Sequence, residues 1–198
     1  MFVKICGLTR AEDVVAAVRC GASAIGFVFW PKSPRFVDPY RARQMARILP
    51  PFVTPVGVFV NQPASYVNDV ASLVGLGAVQ LHGDEDPDYA QSIARPVVKA
   101  IATITDRTAT DWPAQVLLLV DAHDPVKRGG TGVVADWTRA SALARERPIL
   151  LAGGLRPERI AAAIGAVAPF GIDVSSGVED TPGIKNHERM TALFEALP

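Results

Sequence analysis

Cysteine is scarce in this chain of 198 residues, which contains only Cys6 and Cys20. Two cysteines do not make the disulfide framework of a small secreted protein, and free thiols are typical of a reducing compartment. A signal peptide is not expected either, because Lys4 and Arg10 stand near the start with no apolar signal core between them. We therefore expect a cytoplasmic protein.

Net charge is also lacking, because twenty basic residues balance twenty acidic ones. Such a chain has no overall field that would attract nucleic acid or an anionic membrane surface, so an anionic ligand must be bound locally. The uncharged run over residues 48–68 contains four prolines and is not expected to span a membrane. We expect a small-molecule ligand, with no nucleic acid and no membrane as partners.

Hydrophobic residues are plentiful at 49 %, which at this length predicts one domain with one substantial core over residues 1–198. Short apolar strands alternate with amphipathic helices about every 25 residues. Only the fifth helix is expected to be degenerate or a single turn, within the polar segment Thr103–Trp112. The eight strands are predicted at Phe2–Cys6, Ala24–Phe29, Thr54–Val60, Ala78–His82, Val97–Ile101, Val116–Val120, Ile149–Ala152 and Phe170–Val174.

The strand pattern predicts the fold class. None of the strands has a polar face, which is typical of a parallel sheet covered by helices on its surface. Eight strand and helix pairs favour an α/β protein with a single (β/α)8 TIM barrel over an open doubly wound sheet, because closure removes both sheet edges.

Active sites of such barrels lie at the carboxyl ends of the strands. Cys6 ends the first strand and Asp121 follows the sixth, so a thiol and a carboxyl group are candidates for a general base and a general acid. Each also has a structural interpretation, Cys6 as a buried cysteine and Asp121 as a cap. Lys4 shares the face of Cys6 and either lowers the pKa of the thiol or lies deeper, paired with an acid.

Two glycine-containing turns predict a phosphate site. Gly153 and Gly154 follow strand seven, and Ser176 and Gly177 follow strand eight, where backbone N–H groups of barrel enzymes often bind phosphate. Tight turns without a ligand are the alternative. The glycine-rich segment Gly129–Gly132 follows strand six and is predicted to be a lid or an ordinary turn.

Arg35, in the loop after strand two, is a candidate for a bidentate pair with a carboxylate on the ligand, although many loop arginines are only solvated. The segment His82–Asp86 combines one histidine with three acidic residues. It lacks metal-ligand spacing, so a solvated, capping loop is predicted and no metal is expected.

Eight sequence blocks together resemble the phosphoribosylanthranilate isomerase family of tryptophan biosynthesis. No single block is decisive, but their order and joint presence along the whole chain are specific. The chain departs from the family pattern at Val133–Ala135, where an aromatic residue is usual, and at Arg159, where asparagine is usual. The blocks are Lys4–Thr9, Gly26–Phe29, Ser33–Arg35, Val56–Asn61, Gln80–Gly83, Gly129–Gly132, Leu151–Leu155 and Asp173–Glu179.

The resemblance implies an Amadori rearrangement of a phosphoribosyl derivative of anthranilate, without metal or organic cofactor. We expect a monomer or homodimer. It also implies roles for individual residues. These are Cys6 as general base, Asp121 as general acid, Arg35 for the anthranilate carboxylate, Asp173 for substrate orientation, and Gly154, Ser176 and Gly177 for phosphate.

Two other functions remain as alternatives. One is the related sugar isomerase of histidine biosynthesis, or a dual-specificity enzyme. That chemistry uses aspartates at strands one and five, where this chain has Cys6 and Ile101. The other is a phosphosugar-binding barrel without catalytic activity.

Overall fold

The structure is a computed structural model that describes residues 1–101, 104–105, 107–121 and 137–198. Eight parallel strands form a closed barrel in chain order, with the last strand paired to the first. The predicted (β/α)8 barrel is therefore confirmed. The strands are β1 (Phe2–Cys6), β2 (Ala24–Val28), β3 (Thr54–Phe59), β4 (Ala78–Leu81), β5 (Val97–Ile101), β6 (Leu117–Asp121), β7 (Ile149–Ala152) and β8 (Gly171–Val174).

Helices follow the strands around the barrel. The fifth is a single turn of four residues, as predicted for the polar segment that contains it. Within the described ranges no helix is long and apolar enough to cross a membrane. The helices are α1 (Ala11–Cys20), α2 (Pro39–Ala46), α3 (Ala64–Val74), α4 (Pro87–Gln91), α5 (Thr108–Asp111), α6 (Trp137–Glu146), α7 (Pro157–Val167) and α8 (His187–Glu195).

Several helix ends follow from local chemistry. The Asp38 carboxylate accepts a hydrogen bond from the Tyr40 N–H at 2.9 Å, which caps the start of α2. Gly21 ends α1 in the left-handed conformation with φ 101°, which glycine adopts without strain. The α2 helix ends at Ala46, ahead of Pro50, which disfavours the helical conformation at Leu49.

A two-stranded antiparallel sheet was not predicted. It follows β8 and a single 3₁₀ turn (Ser176–Val178), and consists of β9 (Glu179–Thr181) and β10 (Ile184–Lys185). Strands of three and two residues are too short to show the alternation by which strands are recognised in a sequence.

Most of the core lies between the barrel and its helices, and a second apolar cluster lies on the inward faces of the strands. That inner cluster contains Val98, Leu119, Leu150 and Ala152, with Phe2 packed against it. Because apolar side chains fill this part of the barrel, a polar ligand has to approach from the carboxyl ends of the strands.

Candidate active site

A cavity of about 440 Å³ opens at the carboxyl ends of the strands. Its lining contains every residue for which the sequence predicted a catalytic or binding role, drawn from both ends of the chain. These are Cys6, Arg35, Asp121, Gly153, Gly154, Asp173, Ser176 and Gly177. The volume is in the range of small-molecule sites in enzymes.

Cys6 is the last residue of β1, and its side chain is buried at the cavity wall. A Cβ atom added to Gly26 on the neighbouring strand would lie only 2.8 Å from Cys6 Sγ, so the glycine makes room for the thiol. Burial raises the pKa of Cys6 above its ordinary value, whereas the Lys4 ammonium lowers it and the Asp173 carboxylate raises it. The thiol is thus held between a cation and an anion.

Lys4 lies below Cys6 on the same face of β1 and is 1 % exposed. Its Nζ atom donates to Asp173 Oδ1 at 2.9 Å. Burial lowers the pKa of Lys4, but the charge of Asp173, helped by Cys6, outweighs burial and leaves this pKa above its ordinary value. Lys4 is therefore a charged group beside the thiol. It is paired with an acid, as one sequence interpretation had it, and its charge acts to lower the pKa of Cys6, as the other had it.

Asp121 pairs with Ala152 of β7 and is therefore the last residue of β6, rather than the first residue after the strand. In the barrel β6 is joined to β1 through β7 and β8. Asp121 and Cys6 therefore stand on either side of the two turns predicted to bind phosphate. The proposed lid, Gly129–Gly132, and the departure at Val133–Ala135 lie outside the described residues.

The two turns predicted to bind phosphate approach each other closely. Gly153 and Gly154 both have left-handed backbones, with φ values of 90° and 63°. A Cβ atom on Gly177 would lie 1.7 Å from the carbonyl oxygen of Leu155, so only glycine fits between these loops. Consecutive N–H groups in such turns form a concave site for an anion.

Arg35 borders the cavity and forms a two-point ion pair with Glu179. Arg35 Nε donates to Glu179 Oε1 at 2.9 Å, and Nη2 donates to Oε2 at 2.6 Å. Lys185 Nζ also donates to Glu179 Oε1, at 2.7 Å. Burial alone would raise the pKa of Glu179, but the bonds from Arg35 and Lys185 hold it below its ordinary value, so Glu179 is a carboxylate at neutral pH.

The sequence assigned no role to Glu179, Lys185 or Gln80. Gln80 lies under the cavity, and its Nε2 atom is 3.0 Å from His82 Nδ1. Burial lowers the pKa of His82, although the nearby Asp121 charge opposes this, so the imidazole is neutral near pH 7. Alternation along β4 could have placed Gln80 inside the barrel, whereas Glu179 and Lys185 belong to the hairpin that the sequence did not predict.

The loop after β4 has a structural role. Asp86 accepts a hydrogen bond from the Tyr89 N–H at 2.7 Å and so caps α4. Glu85 accepts from the N–H groups of Asn61 and Gly83 and pairs with Lys99 at 2.8 Å. Among the residues that the structure describes, no cluster of histidine, cysteine and acidic residues could hold a metal ion.

Residues 3–196 match the family model described as N-(5'-phosphoribosyl)anthranilate isomerase. The N-(5'-phosphoribosyl)anthranilate isomerase of Hahella chejuensis is 45 % identical over 192 residues, covering 93 % of this chain and 88 % of the relative. A second, from Citrifermentans bemidjiense, is 45 % identical over 200 residues, covering 97 % of this chain and 94 % of the relative.

Solved structures agree with the sequence matches. Phosphoribosyl anthranilate isomerase from Thermotoga maritima superimposes with a TM-score of 0.91 at 40 % identity, covering 99 % of this chain and 98 % of the other. Another isomerase structure contains reduced 1-(o-carboxyphenylamino)-1-deoxyribulose 5-phosphate, and superimposes with a TM-score of 0.87 at 39 % identity, covering 99 % and 97 %.

Proposed function

The chain belongs to the N-(5'-phosphoribosyl)anthranilate isomerase family, and we propose that Cys6 is the general base and Asp121 the general acid of its reaction. The enzyme rearranges N-(5-phosphoribosyl)anthranilate to 1-(2-carboxyphenylamino)-1-deoxy-D-ribulose 5-phosphate in tryptophan biosynthesis. This Amadori rearrangement converts an aldose derivative into a ketose. The observation that best supports the proposal is the placement of both groups on one cavity, on either side of the phosphate turns.

The chemistry requires one acid and one base. Asp121 protonates the furanose ring oxygen, and the ring opens to an iminium ion. Cys6, as a thiolate, then removes the proton from C2 of the sugar to give an enolamine, which tautomerises to the ketone. Because the base takes a proton from carbon, no covalent bond forms between the thiolate and the substrate. The Lys4 ammonium favours the thiolate form of Cys6.

The remaining residues hold the substrate by its two ends. Backbone N–H groups at Gly153, Gly154, Ser176 and Gly177 bind the phosphate. Asp173 uses Oδ1 for Lys4 and orients a sugar hydroxyl with Oδ2. Two anchored ends fix the reacting carbon between acid and base, which lowers the entropic part of the barrier.

We also propose that residues 1–198 form one catalytic domain. The cavity is built from β1 at the start of the chain and from β8 at its far end, so neither half could form the site alone.

The oligomeric state, monomer or homodimer, stays a prediction. One structurally similar isomerase, from Thermotoga maritima, is described as dimeric, and in this chain the Phe52 side chain is 100 % exposed, which supports the homodimer.

A steady-state assay tests the reaction directly. Purified protein is expected to convert phosphoribosylanthranilate efficiently and to convert the aminoimidazole precursor of histidine biosynthesis poorly. Cys6 and Ile101 stand at the ends of β1 and β5, where that second reaction uses aspartates. Comparable turnover of both substrates would show a dual-specificity enzyme. Tight binding of phosphoribosylanthranilate without turnover would indicate a non-catalytic barrel.

We propose that Arg35 binds the anthranilate carboxylate, and Arg35→Ala is therefore expected to raise KM at least about tenfold with a smaller effect on kcat. The carboxylate lies away from the reacting carbons, so its contact is similar in the ground state and the transition state. Arg19→Ala, an exposed arginine on α1, is the matched control and leaves both constants unchanged. An unaltered KM in Arg35→Ala would remove this role.

A further inference from the structure

The hairpin of β9 and β10 carries two buried charged residues, one of which contacts Arg35 in the cavity lining. Glu179 and Lys185 are 6 % and 2 % exposed, and neither has a place in the acid and base chemistry. The hairpin is fixed to the barrel through Thr9 Oγ1, which donates to the Gly183 carbonyl at 2.6 Å. Its charged side chains are thus held on a rigid support.

Glu179 occupies one particular edge of the Arg35 guanidinium. A guanidinium has a side edge, formed by Nε and one terminal nitrogen, and an end edge formed by its two terminal nitrogens, and each edge can hold a carboxylate in bidentate fashion. Glu179 takes the side edge through Nε and Nη2. Within the part of the chain that the structure describes, no hydrogen bond from Arg35 uses Nη1, so the end edge is available to a second carboxylate.

Lys185 adds a positive charge to the pair of Arg35 and Glu179, and the three side chains form one charged cluster. Arg35 and Glu179 alone would form a neutral pair with little attraction for an anion. Lys185 Nζ, 2.7 Å from Glu179 Oε1, adds a second cation, so the three side chains together carry one positive charge. That charge matches the single carboxylate of the anthranilate ring.

Lys185 also connects this cluster to the proposed base. Its Nζ atom donates to the Cys6 carbonyl at 2.6 Å and to the Ser175 carbonyl at 3.2 Å. The same ammonium therefore contacts the ends of β1 and β8 and the carboxylate that holds Arg35.

We propose that Glu179, held by Lys185, is a positioning residue that presents the end edge of Arg35 to the substrate carboxylate and thereby selects a carboxylated aromatic amine. This inference rests on the proposed role of Arg35. Glu179 does not itself touch the substrate. Its removal should therefore act only on ligands that carry the carboxylate.

Two stable ligands measure this selectivity without turnover. One is reduced 1-(o-carboxyphenylamino)-1-deoxyribulose 5-phosphate, and the other is the same compound made from aniline, which lacks the carboxylate. Calorimetric titration gives both dissociation constants, and their ratio reports the contribution of the carboxylate. The native enzyme is expected to prefer the carboxylated ligand by about a hundredfold, the scale of a charge-assisted bidentate pair.

Glu179→Gln and Glu179→Asp are both expected to lower this preference about tenfold, since charge-assisted pairing depends on geometry. The Kd of the aniline compound should stay within about twofold, which also shows that the variants are folded. Asp180→Asn, an exposed neighbour on β9, is the matched control and keeps the native preference. Glu179→Asp retains the charge but is one methylene too short to reach both cations.

Other outcomes would overturn the proposal. If Glu179 acted only through its charge, Glu179→Gln would strengthen binding of the carboxylated ligand and Glu179→Asp would change nothing. If it were only structural, both ligands would lose affinity equally. Arg35→Met separates this inference from the proposed function. If Arg35→Met loses the preference and the Glu179 variants keep it, only the positioning role of Glu179 is refuted. If Arg35→Met keeps the preference, the carboxylate-binding role of Arg35 and the positioning role of Glu179 are both refuted.

Discussion

Cys6→Ser is expected to lower kcat by at least about a hundredfold, the usual scale for loss of a general base. A serine hydroxyl is close in size to the thiol, so the narrow space beside Gly26 stays filled and the barrel stays folded. The hydroxyl, however, is a far weaker acid than the thiol, and the anion needed to remove a proton from carbon is not formed. Binding of the substrate should change little.

The pH dependence distinguishes a base from a packing residue. Burial raises the pKa of Cys6 above its ordinary value, and only the thiolate is active, so the residual kcat/KM of Asp121→Asn, in which the proposed acid no longer titrates, should rise with pH from neutral into the alkaline range. This rise should be absent from the residual activity of Cys6→Ser. Cys20→Ser is the matched control, since Cys20 lies on α1 with Thr191 Oγ1 at 3.8 Å, and it should keep native kinetics. Near-normal turnover in Cys6→Ser would refute the assignment.

The barrel could be predicted because each of its strands carries its own signal. A buried parallel strand is a short apolar run, and the residue at its carboxyl end falls at the mouth of the barrel whatever the details of packing. Cys6 and Asp121 were identified in this way, and errors of one residue in strand ends did not move them from the rim.

The electrostatic partners could not be predicted, because they depend on contacts between distant parts of the chain. Arg35 and Glu179 are separated by 144 positions, and Lys4 and Asp173 by 169. The sequence suggested an acid as a partner of Lys4 but did not identify that acid, and Arg35 considered alone has an ordinary solvated interpretation. The sequence also placed no hairpin after β8, so nothing suggested that Glu179 turns back over the loop that carries Arg35.

The buried pair of Lys4 and Asp173 connects the proposed base, Cys6, to the residue proposed to orient the substrate. An ion pair in this interior is stabilising only when both members remain charged and paired. Lys4 satisfies one oxygen of Asp173 and also favours the thiolate of Cys6. In the proposed mechanism, proton transfer to the Cys6 thiolate changes the charge beside Lys4 and Asp173, and neither of these two charged groups has to reorganise.

Asp121→Asn is likewise expected to reduce kcat and kcat/KM at least about a hundredfold, because an amide cannot deliver the proton that opens the furanose ring. The amide has the same shape as the carboxyl group, so the fold and the end of β6 should be preserved. Asp69→Asn, an exposed aspartate on α3, controls for the loss of a charge and should keep native rates.

Binding of the reduced product analogue separates catalysis from affinity in Asp121→Asn. This ligand has an open chain and no ring oxygen to protonate, so its Kd should stay within about threefold of the native value if Asp121 acts only in the transition state. A parallel loss of analogue binding and turnover would make Asp121 a binding residue. Undiminished turnover would instead require that another group lining the cavity supplies the proton.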